Sequence, residues 1–148
     1  MKVGVISDTH IPAAAAGLPQ RVLEIMQSMD AVIHAGDFVD MSVVETFEHM
    51  GPFYGVCGNM DPAAIRAHLP EKRVVELEGV SIGIIHGWGS PRGLEHKVRR
   101  EFAGETPDVL VFGHSHQAAN TVRDGILLFN PGSPTDTRFA PQKTVGVL

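Results

Sequence analysis

The sequence predicts an α/β fold in which two mixed β-sheets pack together with helices on the outside. Three observations predict it. Residues 3 to 57 alternate short apolar runs with amphipathic segments in the order β-α-β-α-β, which favours a parallel sheet joined by right-handed crossovers. Beyond Val74 the pattern turns to strand pairs around Glu78-Gly79 and Asp124-Gly125, dipeptides suited to tight hairpins. No internal repeat or linker divides the 148 residues, a length that suits one domain, 1–148, with its own core.

Val3-Gly4-Val5-Ile6 is a continuous apolar run stopped by Ser7-Asp8-Thr9-His10, so it reads as a buried first strand. A loop through Pro12, the alanine tract and Pro19 leads to a helix over roughly 19–29, where Val22, Leu23, Ile25, Met26 and Met29 recur at helical spacing. Residues 31–34 form the second strand, closed by Ala35-Gly36-Asp37. Ser42 and Glu45 have capping-box spacing, and Val43, Val44, Phe47 and Met50 give that helix an apolar face. Residues 53–57 make the third strand, closed by Gly58-Asn59-Met60-Asp61. Asp61 as N-cap and Pro62 at the first helical position would start a short helix reaching Leu69.

Residues 74–77 and 80–85 read as the first hairpin, ended by His86-Gly87-Trp88-Gly89-Ser90. Ser90-Pro91 opens a helix carrying Leu94, Val98 and Phe102 at spacings of four. Residues 109–112 are the next strand, and 118–123 with 126–129 the second hairpin. After the loop Asn130-Pro131-Gly132-Ser133, a last strand begins at Lys143 and runs to Leu148. Whether it continues into a hairpin partner is left open.

Composition narrows the function classes. A chain that is 43% hydrophobic and 20% charged is expected to be an ordinary soluble globular protein. Its net charge is −5 and its only basic cluster is Lys97-Val98-Arg99-Arg100, which argues against a broad nucleic-acid-binding surface. The single cysteine, Cys57, excludes an intrachain disulfide and reads as a small buried hydrophobe in a reducing compartment. No stretch approaches the ~20 apolar residues of a membrane span, and Asp8 cuts the first apolar run too early for a signal peptide. A cytoplasmic protein with no membrane partner is expected; homo-oligomerisation stays open.

Five short motifs share one position, the end of an apolar strand: Asp8-x-His10, Gly36-Asp37, Gly58-Asn59, His86-Gly87 and Gly113-His114-x-His116. In an open α/β sheet ligands bind beyond the carboxyl ends of the strands, so these side chains converge on one edge. Two carboxylates, one amide and four imidazoles make a mixed oxygen and nitrogen donor set without thiolates. Such a set suits Mn²⁺, Fe²⁺, Zn²⁺ or Ni²⁺. Seven ligands are too many for one tetrahedral ion and suit two ions about 3.5–4 Å apart. His34, His49, His68 and His96 add no ligand that this pattern can use and are read as structural.

The order DxH, GD, GN, HG, GHxH resembles the calcineurin-like metallophosphoesterase superfamily, above all its small single-domain phosphodiesterase branch in bacteria and archaea. Asn130-Pro131-Gly132-Ser133 resembles that branch's closing motif. The resemblance implies a four-layer α/β/β/α sandwich with a dinuclear centre at its edge. It assigns one metal to Asp8, His10 and His116, the other to Asn59, His86 and His114, with Asp37 bridging. The implied function is hydrolysis of a small-molecule phosphate ester, as a phosphodiesterase, by a hydroxide bridging two divalent ions. Mn²⁺ is expected first, with Ni²⁺, Fe²⁺ or Zn²⁺ as alternatives. A phosphomonoesterase or nuclease with the same site, or a non-catalytic protein-binding scaffold of the same fold, are the rival readings.

Two positions depart from the family pattern. Met60 stands where larger members carry a histidine after Gly-Asn, and a thioether cannot donate a proton. Trp88 stands where a second histidine often follows His-Gly. Trp88, Arg92 and Arg138 are the candidate substrate contacts.

Overall fold

The computed structural model describes residues 1–148. Strands β1 (Val3–Ile6), β2 (Ala31–His34) and β3 (Phe53–Gly55) pair in parallel, joined by helices α1 (Gln20–Gln27) and α2 (Met41–Glu48). Helix α3 (Ala63–His68) leads to the antiparallel hairpin β4 (Lys72–Leu77) and β5 (Val80–Ile85), which begins a second sheet. Helix α4 (Leu94–Glu101) then crosses over to β6 (Val109–Val111), parallel to β5. The second hairpin, β7 (Ala119–Arg123) and β8 (Ile126–Asn130), adds through β8, parallel to β6. Strand β9 (Gly146–Val147) returns to the first sheet, antiparallel to β1. The strand orders are β3-β2-β1-β9 and β4-β5-β6-β8-β7, so both sheets are mixed, as expected.

The period of two along each strand divides the core into layers. Val3, Val5 and Ile33 turn toward the second sheet and meet Ile82, Ile84, Val111 and Phe129. Ile6 and Val32 turn the other way, against Val22 and Met26 of α1 and Val43, Val44 and Phe47 of α2. On the far side of the second sheet Leu110 and Leu128 pack on Leu94 and Val98 of α4. Four layers result, α/β/β/α. Gly4 sets how closely α1 approaches its sheet, because a Cβ there would lie 2.7 Å from Met26 Sδ.

Several element ends differ from the sequence expectation. Helix α2 is capped by Asp40, whose side chain accepts from the Ser42 backbone N–H at 2.9 Å, so Ser42 already lies inside the first turn and no capping box forms. Asp61 does not cap α3; the residue in that place is Pro62, with no side-chain cap, and the Asp61 carboxylate is used elsewhere. Residues 91–93 form a turn in which the Arg92 N–H bonds Ser90 Oγ at 3.2 Å, delaying α4 to Leu94. The last strand is confined to Gly146–Val147 and its partner is β1, from the opposite end of the chain.

Val39 sits in the left-handed region at φ 76°, a costly place for a β-branched residue. Val39→Asn should therefore raise stability by about 1 kcal/mol, read as a higher urea midpoint at unchanged slope.

Candidate metal centre

The strand ends converge because the backbone reverses sharply at each of them. Asp8, His10, Asp37, His114 and His116 all adopt left-handed φ values, between 44° and 68°. That conformation costs a non-glycine residue roughly 1 kcal/mol, and here it turns each side chain back over the sheet edge. Neighbouring glycines let the turns touch. A Cβ at Gly58 would overlap the Asp37 carboxylate, and one at Gly113 would overlap Ser7 Oγ.

Two groups of ligand atoms form, Asp8 with His10 and His116, and Asp8 with Asp37 and His86, each within 4.8 Å of one another. Asp8 Oδ1 lies 3.3 Å from His116 Nε2, 3.7 Å from His10 Nε2 and 3.8 Å from His86 Nε2. Asp37 Oδ2 stands between one histidine of each group, 3.4 Å from His10 Nε2 and 3.2 Å from His86 Nε2. All five residues are buried, Asp8 completely.

Hydrogen bonding shows what the cluster lacks. Asp8 Oδ2 accepts from Ser7 Oγ at 2.7 Å and from the His114 N–H at 3.0 Å, but Oδ1 has no donor. His86 Nδ1 donates to Ala35 O at 2.7 Å, which leaves Nε2 as a bare lone pair aimed at two carboxylates. A buried lone pair facing other lone pairs requires a cation between them. The donor set, two carboxylates and three imidazoles, fits divalent metal. Without metal a proton is the substitute. Burial lowers the His86 pKa, yet Asp8 and Asp37 outweigh it and hold it up to about 9. Burial likewise opposes ionisation of Asp8, and the surrounding imidazoles still keep its carboxyl well below the usual range.

A second ring of contacts fixes these ligands. Asp61 Oδ2 accepts from the N–H groups of Gly58, at 2.7 Å, and Asp37, at 3.1 Å, while Oδ1 accepts from Val39 at 2.8 Å. One carboxylate thereby clamps the second ligand turn to the third. Asn130 Nδ2 donates to Gly113 O, and Ser133 Oγ to Asp8 O, so the closing motif ties the first ligand turn to the last. Asp136 Oδ2 lies 2.9 Å from His116 Nδ1 and is itself gripped by Arg138. Asp136 was not legible in the sequence, where it follows no motif spacing.

Asn59 and His114 stand apart from the buried five. His114 Nδ1 is 3.1 Å from Asn59 Oδ1 and its Nε2 is 2.6 Å from Gly89 O, although its ring centroid lies only 5.4 Å from that of His86. Trp88 is exposed beside this pair, its loop pinned by Lys97. Arg92 is exposed with no contact to the cluster, and Arg138 reaches it only through Asp136. Of the histidines read as structural, His49 and His68 do bond Glu45 O and Glu48 at helix ends. His34 is fully buried, stacked on Phe38 at 3.6 Å.

The whole chain, residues 1–148, matches the family model described as the calcineurin-like phosphoesterase superfamily domain. A probable metallophosphoesterase of Methanothermobacter thermautotrophicus is 37% identical over 94% of this chain and 80% of its own. A phosphodiesterase of Methanocaldococcus jannaschii, MJ0936, is 29% identical over 89% of this chain and 83% of its own. Among solved structures, Thermotoga maritima protein TM1076 superimposes with a TM-score of 0.76 at 40% identity, covering 99% of this chain and 90% of that one. Vacuolar protein sorting 29 of Cryptosporidium parvum gives 0.76 at 30% identity, covering 90% and 75%.

His34 makes the fold pH-sensitive. Its Nδ1 accepts from the Gly36 N–H at 3.1 Å, so the ring proton sits on Nε2, facing Thr9 Oγ1 at 3.2 Å. Burial holds the ring neutral, its pKa pushed down from 6.5 to about 3. The unfolded chain binds this proton first, so the stabilisation is complete above pH 6.5 and is lost as pH falls toward 3. Urea unfolding at pH 7 and pH 5 should show a smaller drop for His34→Gln than for the parent; equal drops would exclude this ring as the source.

Proposed function

We propose that the chain, which belongs to the calcineurin-like phosphoesterase superfamily, is a phosphodiesterase that works with two divalent ions. The observation that carries the reading is Asp8 Oδ1, buried and without a donor at the junction of two ligand-atom groups. In the proposed assignment Asp8, His10 and His116 hold one ion, Asn59, His86 and His114 the other, and Asp37 stands between them. The donors are oxygen and imidazole with no thiolate, a set that suits Mn²⁺, Fe²⁺, Zn²⁺ or Ni²⁺, of which Mn²⁺ is the first expectation. When bound, such ions supply Lewis acidity and lower the pKa of a nearby water.

The chain's residues supply the positioning. Asp37, facing both groups, orients the attacking water. Asn59, whose Oδ1 now faces His114 Nδ1, would turn that oxygen to the ion and keep its amide N–H for a phosphoryl oxygen, beside His86. Water adds to phosphorus as the P–O bond to the leaving group breaks, giving a phosphate monoester and an alcohol. Met60 is exposed where a proton donor would stand, and its thioether has none to give. The leaving oxygen must take its proton from solvent.

Protein loaded with Mn²⁺, Ni²⁺, Fe²⁺ or Zn²⁺ should hydrolyse bis(p-nitrophenyl) phosphate faster than p-nitrophenyl phosphate. Asp37→Ala should cut the rate by roughly 100-fold or more, beyond the usual cost of an outer-shell change. The reverse substrate preference would make the chain a monoesterase. No turnover with any of the four metals would favour a binding scaffold, the reading that the likeness to vacuolar protein sorting 29 supports.

Aryl leaving groups should outpace alkyl ones steeply because no acid protonates them. Met60→His should flatten that dependence of kcat on leaving-group pKa; an unchanged slope would show that position 60 does not reach the departing oxygen.

A further inference from the structure

A cavity of about 420 Å³ opens beside Asn59 and His86, within the range of small-molecule sites. Cys57 and Ile85 contribute apolar lining, and the indole of Trp88, 42% exposed, forms part of the wall. Lys97 Nζ donates to Trp88 O at 2.6 Å and to Ser90 O at 2.8 Å, and sits 6.0 Å over the ring. Lys97 is not among the residues that line the cavity, whereas Trp88 is.

Polar groups of both signs complete the lining. Arg66 donates from Nε to Asp61 O at 2.9 Å and from Nη2 to Asn59 O at 3.0 Å, which fixes the guanidinium on the Asn59 turn with Nη1 uncommitted. Glu71 and Glu101 are also among the lining residues, and no protein group engages their carboxylates. The other cation there, Lys72, is neutralised by Glu105 at 2.8 Å.

We infer that this cavity is the subsite for a nucleoside carried by the substrate, an inference that rests on the phosphodiesterase reading above. A base stacks on the exposed indole of Trp88, as bases do on aromatic side chains. Exocyclic amino groups of adenine, guanine or cytosine donate to the free carboxylates, and Arg66 Nη1 donates to a ring nitrogen or sugar oxygen. Asn59 and His86, at the cavity's edge, place the substrate's phosphate ester at the metal centre.

Trp88 is the chain's only tryptophan, so its fluorescence reports on this cavity whether or not metal is bound. Adenosine 5′-monophosphate should quench it saturably in metal-free and Mn²⁺-loaded protein, while ribose 5-phosphate should not. Phenyl phosphate should bind at least about tenfold more weakly than the nucleotide. Trp88→Ala should lower kcat/KM for the p-nitrophenyl ester of adenosine monophosphate at least about tenfold more than it lowers that for methyl p-nitrophenyl phosphate. Quenching by phenyl phosphate equal to that by the nucleotide, or no quenching by either, would overturn the subsite. Saturable quenching in a protein that hydrolyses no ester would overturn the phosphodiesterase reading and leave the nucleoside site standing.

Discussion

A fully buried carboxylate, that of Asp8, is the constraint around which this molecule is arranged. Removing an ionised carboxylate from water is costly unless charge and hydrogen bonds replace the solvent. One oxygen is served by Ser7 and the His114 backbone, and the other is surrounded by His10, His86 and His116 without receiving a proton from any of them. The first strand of one sheet and the ends of β5 and β6 in the other must therefore meet at one point. The apolar packing between the sheets brings them there, and the Asn130, Ser133 and Asp61 contacts hold the turns in place.

This arrangement explains why an acidic chain can still attract a phosphate ester. The chain carries a net charge of −5, while the site gathers imidazoles and unpaired lone pairs that call for cations. Next to it lies the exposed Trp88, whose loop is held through its backbone carbonyl by Lys97 and not by the residues of the metal centre. The proposed nucleoside subsite thus adjoins the proposed ester site while resting on separate contacts.

Much of this was legible in the residues alone, for identifiable reasons. Fully buried strands such as β1 and β6 announce themselves as unbroken apolar runs, and the ligand motifs sit directly after them. Contacts between turns distant in the chain leave no such trace. Asp61 looked like a helix cap because it precedes proline, whereas its two oxygens serve three backbone N–H groups of other turns. Asp136 meets His116 only through the fold, and Arg66, Glu71 and Glu101 come together from separate elements. The same limit hid the partner of β9 and the company that His114 keeps with Gly89.

The left-handed backbone at the strand ends bears on how such a site could be lost. Glycine would sit more comfortably at Asp8, His10, Asp37, His114 or His116, so backbone conformation alone favours a residue with no side chain at each of them. A descendant relieved of ion binding could improve its folding simply by mutating there. A site held in tension with its own backbone in this way is one that drift would dismantle quickly, and its erosion in a relative would be visible first at these five positions.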